Sequence, residues 1–101
     1  MDAISVIASA RRREILQLIW ERELSAGDIA AALPVTFGAV SQHLSLLRSA
    51  GIVDVRRAGT YRYYRANHAR IGPLKAVLEA YWTDALDRLA LEAEREDGAS
   101  T

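Results

Sequence analysis

Gln42 stands in the run Thr36-Phe37-Gly38-Ala39-Val40-Ser41-Gln42-His43-Leu44-Ser45. Its amide offers a donor beside an acceptor, the arrangement that pairs with an adenine edge in the DNA major groove. Val40, Leu44 and Leu47 recur at i, i+4 and i+7, so they mark the buried face of a helix. Thr36 then stands at the start of that helix, and Gly38, Ser41, Gln42 and Ser45 fall on the opposite face. These residues are small or hydrogen-bonding, and no acid is among them. A helix that enters the major groove needs such a face, because a carboxylate would be repelled by the phosphates it passes. Ser41 suits either a base edge or a phosphate oxygen. His43 lies between the two faces, and two roles stay open for it: a donor to phosphate, or a boundary residue packed beside Leu47.

A second group follows. Arg56, Arg57 and Arg62 flank Gly59, with Thr60 in the turn. Arginines at the tip of a hairpin can lie against phosphates or enter a narrow minor groove, where negative potential is strongest. Tyr61, Tyr63 and Tyr64 read as sheet packing, with room for one hydroxyl to reach the DNA backbone. Catalysis finds no comparable support. No nucleophile is spaced to suggest a base, His43 and His68 lie in different elements, and there is neither a Gly-rich phosphate loop nor a paired carboxylate. The chain contains no cysteine, which removes disulfides and thiolate metal ligands. The expectation is a protein that is not an enzyme and has no cofactor and no metal site.

The elements that must position these residues follow from periodicity and capping. A first helical segment carries Ile4, Val6 and Ile7. Ser9 can cap a second helix bearing Ile15, Leu16, Ile19 and Trp20. Ser25, with Asp28 three residues on, resembles a capping box that opens a short helix through Ile29 and Ala32. Leu33-Pro34-Val35 breaks it, Thr36 caps the next helix, and Gly51 is placed to stop that helix after Ala50. Residues 52–57 and 61–65 are rich in β-branched and aromatic side chains and partly alternate, so they read as a hairpin across Ala58-Gly59-Thr60. Gly72-Pro73 leads into a long helix from Leu74 to Arg95, spanning about 33 Å at 1.5 Å per residue. The fold class is mainly α with a small β-hairpin, in the order of a winged helix-turn-helix. One domain covers residues 1–96, with a tail at 97–101.

At 101 residues, half of them hydrophobic, the chain suits one domain with a core of its own. Its 13 basic and 13 acidic residues balance overall but not locally. Between Thr36 and Arg70 six arginines face the single acid Asp54; from Ile71 onward three basic residues face seven acidic ones. A basic working surface is thus joined to an acidic element that faces elsewhere. The last helix carries Leu74, Val77, Leu78, Tyr81, Trp82, Ala85, Leu86, Leu89 and Ala93, a stripe broader and longer than a small domain buries by itself. Ile4, Ile7, Leu78, Tyr81, Trp82, Ala85 and Leu89 are accordingly the expected contacts of a homodimer formed by the first and last helices. A two-fold dimer sets two recognition helices about 34 Å apart, matching successive major grooves of a near-palindrome. No apolar run has the roughly 18 residues of a membrane span, and Met1-Asp2-Ala3-Ile4 lacks the shape of a secretion signal, so a cytoplasmic protein without a membrane partner is expected.

The stretches Ala10-Arg11-Arg12-Arg13-Glu14-Ile15-Leu16, Glu23-Leu24-Ser25-Ala26-Gly27-Asp28-Ile29-Ala30 and residues 39–53, with the hairpin end Tyr61-Arg62-Tyr63-Tyr64, resemble the ArsR/SmtB family of winged-helix repressors. The similarity runs from about Ile4 to Leu89. It implies a homodimeric repressor on an operator near its own promoter, released or tuned by a signal. Metal sensors of that family carry Cys-x-Cys in the helix corresponding to Ser25-Ala26-Gly27, where this chain has Ser25 and Gly27. The resemblance is therefore to the cysteine-free subgroup. Phe37-Gly38 replaces the more usual polar-Pro start of the recognition helix, which leaves the base contacts of these two positions open. The expected function is sequence-specific double-stranded DNA binding as an autorepressor. The alternative is a winged-helix protein-interaction module that docks an acidic partner on the same basic face. A small-molecule effector of unknown chemistry stays open as well, an apolar ligand between subunits near Trp20 or Trp82 being one form of it.

Overall fold

Most of the helices begin where a short polar side chain can satisfy the free amides of a first turn. In the computed structural model, which describes residues 2–83, Asp2 accepts from the Ser5 amide at 2.8 Å and opens α1 (Ala3–Ile7). Ser9 accepts from the Arg12 amide and opens α2 (Ala10–Leu18). Ser25 and Asp28 form the expected reciprocal capping box: the Ser25 hydroxyl accepts from the Asp28 amide at 3.1 Å, and the Asp28 carboxylate accepts from the Ser25 amide at 3.3 Å. This box starts α3 (Ala26–Ala32). Thr36 caps α4 (Phe37–Ser49) by accepting from the Ala39 amide at 3.1 Å.

The end of α4 is a Schellman closure. The Gly51 amide donates to the Arg48 carbonyl at 2.9 Å and the Ile52 amide to the Leu47 carbonyl at 3.2 Å. Gly51 adopts φ 80°, and a Cβ there would stand 2.9 Å from the Arg70 guanidinium. Backbone conformation thus calls for glycine, whereas the guanidinium, at the end of a flexible side chain, could move aside for a methyl group.

The hairpin is present as β2 (Val53–Ala58) and β3 (Tyr61–Ala66), joined by a two-residue turn with a positive φ at Gly59 alone, the pattern of a type II′ turn. The sheet departs from the expected pair of strands. Leu24–Ser25 forms a third strand, β1, pairing antiparallel with Tyr64 and Tyr63 to give the order β1-β3-β2. Two residues are too few to show an alternating pattern, so only tertiary pairing reveals them as a strand. A four-residue helix, α5 (His68–Ile71), capped by Asn67, also lies beyond the sequence expectation. The helix after Gly72-Pro73 is α6, described from Leu74 to Thr83. Its expected continuation to Arg95 and the tail at 97–101 lie outside the described residues.

The core joins all the helices. Val6 and Ile7 of α1, Ile15 and Leu16 of α2, Ile29 of α3, and Val40, Leu44 and Leu47 of α4 are buried. Ile19, Ile52, Ile71 of α5 and Leu78 of α6 close the same cluster, which holds no buried charged or polar residue among those described. Burying each such side chain contributes about 1.5–3 kcal/mol against chain entropy. The α3 and α4 axes bend by 118° at the Leu33–Thr36 break, within the range of helix-turn-helix pairs. Among the described residues no single helix is long and apolar enough to cross a membrane. Helix pair plus adjoining hairpin is a winged helix-turn-helix.

Candidate nucleic-acid interface

With Val40, Leu44 and Leu47 held in the core, α4 has no freedom to rotate, so its other side is fixed outward. Gly38, Gln42, Ser45 and Arg48 are exposed and Ser41 is half-buried. Gln42 accordingly presents its amide to solvent. The Thr36 hydroxyl oxygen is engaged in the α4 cap, which gives that residue a structural task.

His43 is half-buried, and its Nδ1 lies 3.4 Å from Arg12 Nη1. A guanidinium only donates, so Nδ1 must accept and the ring proton sits on Nε2. Burial, followed by Arg12 and Arg11, holds the His43 pKa below the ordinary histidine value, which favours this neutral form. Arg12 is itself anchored, its Nε donating to the Val6 carbonyl at 2.6 Å.

In the wing, the register decides which arginines face α4. Arg57 pairs across the strands with Arg62, and Val55 with Tyr64. Alternation puts these four on one side of the sheet and Arg56 and Tyr63 on the other. Arg62 and Tyr64 line clefts shared with Ser41 of α4, so theirs is the α4 side. Arg57 and Arg62 are exposed, and neither has a carboxylate partner among the described residues. Like charges directly opposite in a sheet are unfavourable by themselves and become favourable when an anion joins them.

Arg56 lies on the other side of the wing from Arg57 and Arg62. It turns away from α4, pairs with Glu23 at 2.8 Å and lies 5.1 Å from the Tyr63 ring centroid. Glu23 raises its pKa further. The cause is parity: adjacent strand residues face opposite sides, so Arg56 and Arg57 cannot share one surface.

Two clefts run between α4 and the wing. One, of about 490 Å³, lies among Phe37, Ser41, Tyr61 and Arg62 and reaches Ser25 and Gly27 at the start of α3; Thr60 borders it. The other, of about 200 Å³, is lined by Ser41, Ser45, Arg48, Arg62 and Tyr64. Arg48 and Tyr64 are additions to the expected set. Ser41, Ser45 and Arg48 follow i, i+4, i+7, so helical periodicity alone could have found Arg48. Tyr64 reads as packing in the sequence because its strand neighbours are tyrosines too.

The expected dimer contacts divide. Ile7 (5% exposed) and Leu78 (0%) belong to the protomer's own core and have no surface to offer a partner. Ile4, Val77 and Tyr81 are exposed at 69%, 46% and 40%. Trp82 is half-buried and meets Trp20 edge to face, centroids 4.7 Å apart. Ala85 and Leu89 lie outside the described residues. Arg13 borders this apolar face, with its guanidinium 4.0 Å from the Tyr81 ring centroid while it donates to the Ile7 and Ala8 carbonyls.

The position of a metal sensor's thiolates does not suit a metal here. The Ser25 hydroxyl is committed to the α3 cap, Gly27 has no side chain, and no group of three His, Cys, Asp or Glu among the described residues could hold an ion.

Residues 9–55 match the family model of bacterial regulatory proteins of the arsR family. The HTH-type transcriptional regulator Rv2034 of Mycobacterium tuberculosis is 36% identical over 94% of this chain and 91% of its own length. The transcriptional repressor SdpR of Bacillus subtilis is 32% identical over 65% of this chain and 73% of its own. Among solved structures, the homodimeric winged helix-turn-helix DNA-binding domain Mb0332 of Mycobacterium bovis superposes with TM-score 0.69 at 31% identity. That match covers 83% of this chain and 78% of the other.

Proposed function

The chain belongs to the ArsR family of bacterial transcriptional regulators, and from that premise we propose that it binds double-stranded DNA sequence-specifically as a homodimer and represses transcription, its own included. The observation that carries this reading is the outward face of α4, which is free of acids and aligned with Arg57 and Arg62 on the facing side of the wing. In this reading α4 enters the major groove. Gln42 pairs with an adenine edge, Ser41 and Ser45 take base edges or phosphate oxygens, and His43 donates from Nε2. Arg48, Arg57 and Arg62 neutralise phosphates.

Ile4, Val77 and Tyr81 join the two protomers, with Trp82 at the edge of the contact. Val77 and Tyr81, exposed one turn apart on α6, and the exposed Ile4 of α1 favour such a use, and a homodimeric relative of the same fold supports it. A regulator of this kind works where the DNA is, in the cytoplasm.

The test is a fluorescence-anisotropy titration against DNA from upstream of the protein's own gene, with a scrambled duplex as control, at several salt concentrations. The expected result is preferential binding at one dimer per site. Three arginines from each protomer give a slope of log K on log salt of roughly −5. Gln42→Ala should relax specificity at one base pair per half-site. Equal, weak binding to both duplexes would contradict the reading.

A further inference from the structure

Two residues at the start of α4 have no explanation in the fold. Phe37 exposes 60% of its surface, although its ring is wholly apolar, and it is not part of the core cluster. Gly38 has no positive φ, and a Cβ built there meets nothing within 4 Å. Glycine weakens a helix relative to alanine, and neither conformation nor packing demands one at this position. Both unexplained choices lie side by side, where the Phe37 ring borders the 490 Å³ cleft with Ser41, Tyr61 and Arg62.

The first turn of a recognition helix is the part that reaches base edges in helix-turn-helix complexes. Base pairs present hydrogen-bonding groups in the major groove, and thymine alone adds an apolar one, its C5-methyl. A phenyl ring has no donor or acceptor, so the methyl is the feature it can recognise. The absent side chain at Gly38 lets the backbone of the first turn come close to the base edge. Arg57 and Arg62, on the same side of the wing and without a carboxylate partner among the described residues, favour a polyanion as occupant of this cleft.

We propose that Phe37 is a specificity-determining residue that reads a thymine methyl in the major groove, with Gly38 permitting the approach. The proposal rests on the DNA-binding reading above.

The test begins with the protein selecting its site from a random double-stranded library. Each thymine of the selected duplex is then replaced singly by deoxyuridine, which deletes the methyl and keeps every hydrogen-bonding group. The wild-type protein should lose about fourfold in affinity at one thymine per half-site, the worth of one buried methyl group. Phe37→Ala should bind the thymine and deoxyuridine duplexes equally at that position, with an unchanged circular-dichroism melt because the ring is exposed. Gln42→Ala should keep the thymine-to-deoxyuridine ratio. Wild-type affinity that is indifferent to every deoxyuridine substitution, or a Phe37→Ala protein that still discriminates at the same thymine, would overturn the proposal and leave DNA binding intact. Failure to select any duplex would instead remove the functional reading and the proposal with it.

Discussion

The surface formed by α4 and the wing exposes hydroxyls, an amide and two arginines without a carboxylate partner among the described residues, whereas α1 exposes Ile4 and α6 exposes Val77 and Tyr81. Each is costly in a lone protomer, the first through uncompensated like charge at Arg57 and Arg62, the second through apolar area left in water. Two consecutive arginines of α2 tie the surfaces together at the end of α1. Arg12 holds the Val6 carbonyl and reaches His43 of α4; Arg13 holds the Ile7 and Ala8 carbonyls and lies over Tyr81 of α6. The comparison teaches that unmet chemistry, more than shape, separates the two sides. In the proposed reading, one side takes an anion and the other a second copy of the chain.

The sharpest way to break this comparison is to charge the apolar side. Ile4→Glu combined with Val77→Glu should give a monomer by light scattering and lower operator affinity by about 100-fold or more, because two half-sites are no longer read together. The variant should keep the far-UV circular dichroism of a folded chain but melt at a lower temperature than the dimer, because association no longer adds to its stability. An affinity unchanged in a proven monomer would contradict the division of labour.

A smaller effect separates the two faces of the wing. Arg62→Ala should weaken binding to all sequences and reduce the magnitude of the salt slope by about 2 per dimer, one for each lost phosphate contact. Arg56→Ala should leave both affinity and slope unchanged, because its guanidinium is turned to Glu23. Equal losses in the two variants would show that the register does not govern which arginines act.

Gly38→Ala should move stability and binding in opposite directions. Removing a helix glycine with open space around it raises stability by up to about 1 kcal/mol, read as a higher melting temperature. The added methyl should at the same time lower operator affinity.

The smallest effect expected is at His43. Its folded pKa lies below the ordinary 6.5, so the unfolded chain takes up a proton that the folded chain resists. Stability is therefore fully present above pH 6.5 and falls as the pH drops from there toward the folded value. His43→Gln should flatten this part of the melting profile between pH 7.5 and pH 5.5. A steeper profile in the variant would mean the sign is wrong.

Much of this molecule was legible in its sequence, for identifiable reasons. The cap at Ser9, the Ser25–Asp28 box, the Thr36 cap and the Gly51 stop are local hydrogen-bonding patterns, and each lies where the residues placed it. The Val40, Leu44, Leu47 stripe likewise fixed the outward face of α4. What stayed hidden depends on partners distant in the chain. β1 exists because Leu24 and Ser25 meet Tyr64 and Tyr63, some 40 positions away. The Arg56–Glu23 ion pair likewise joins residues 33 positions apart, across the side of the sheet away from α4. Ile7 and Leu78 look like interface residues in a helical stripe until the packing of α1 and α6 on the core is known. Phe37 is the reverse case: an apolar residue that periodicity would assign to a core and that the fold leaves in solvent.

The most direct test of the account is an amide-resonance titration of the isotope-labelled dimer with its selected duplex. The account predicts that shifts concentrate on Phe37 to Arg48 and on Arg57 to Arg62, while Ile4, Val77 and Tyr81 keep their resonances because their partner is already in place. Shifts centred on α1 and α6, with α4 unmoved, would contradict it.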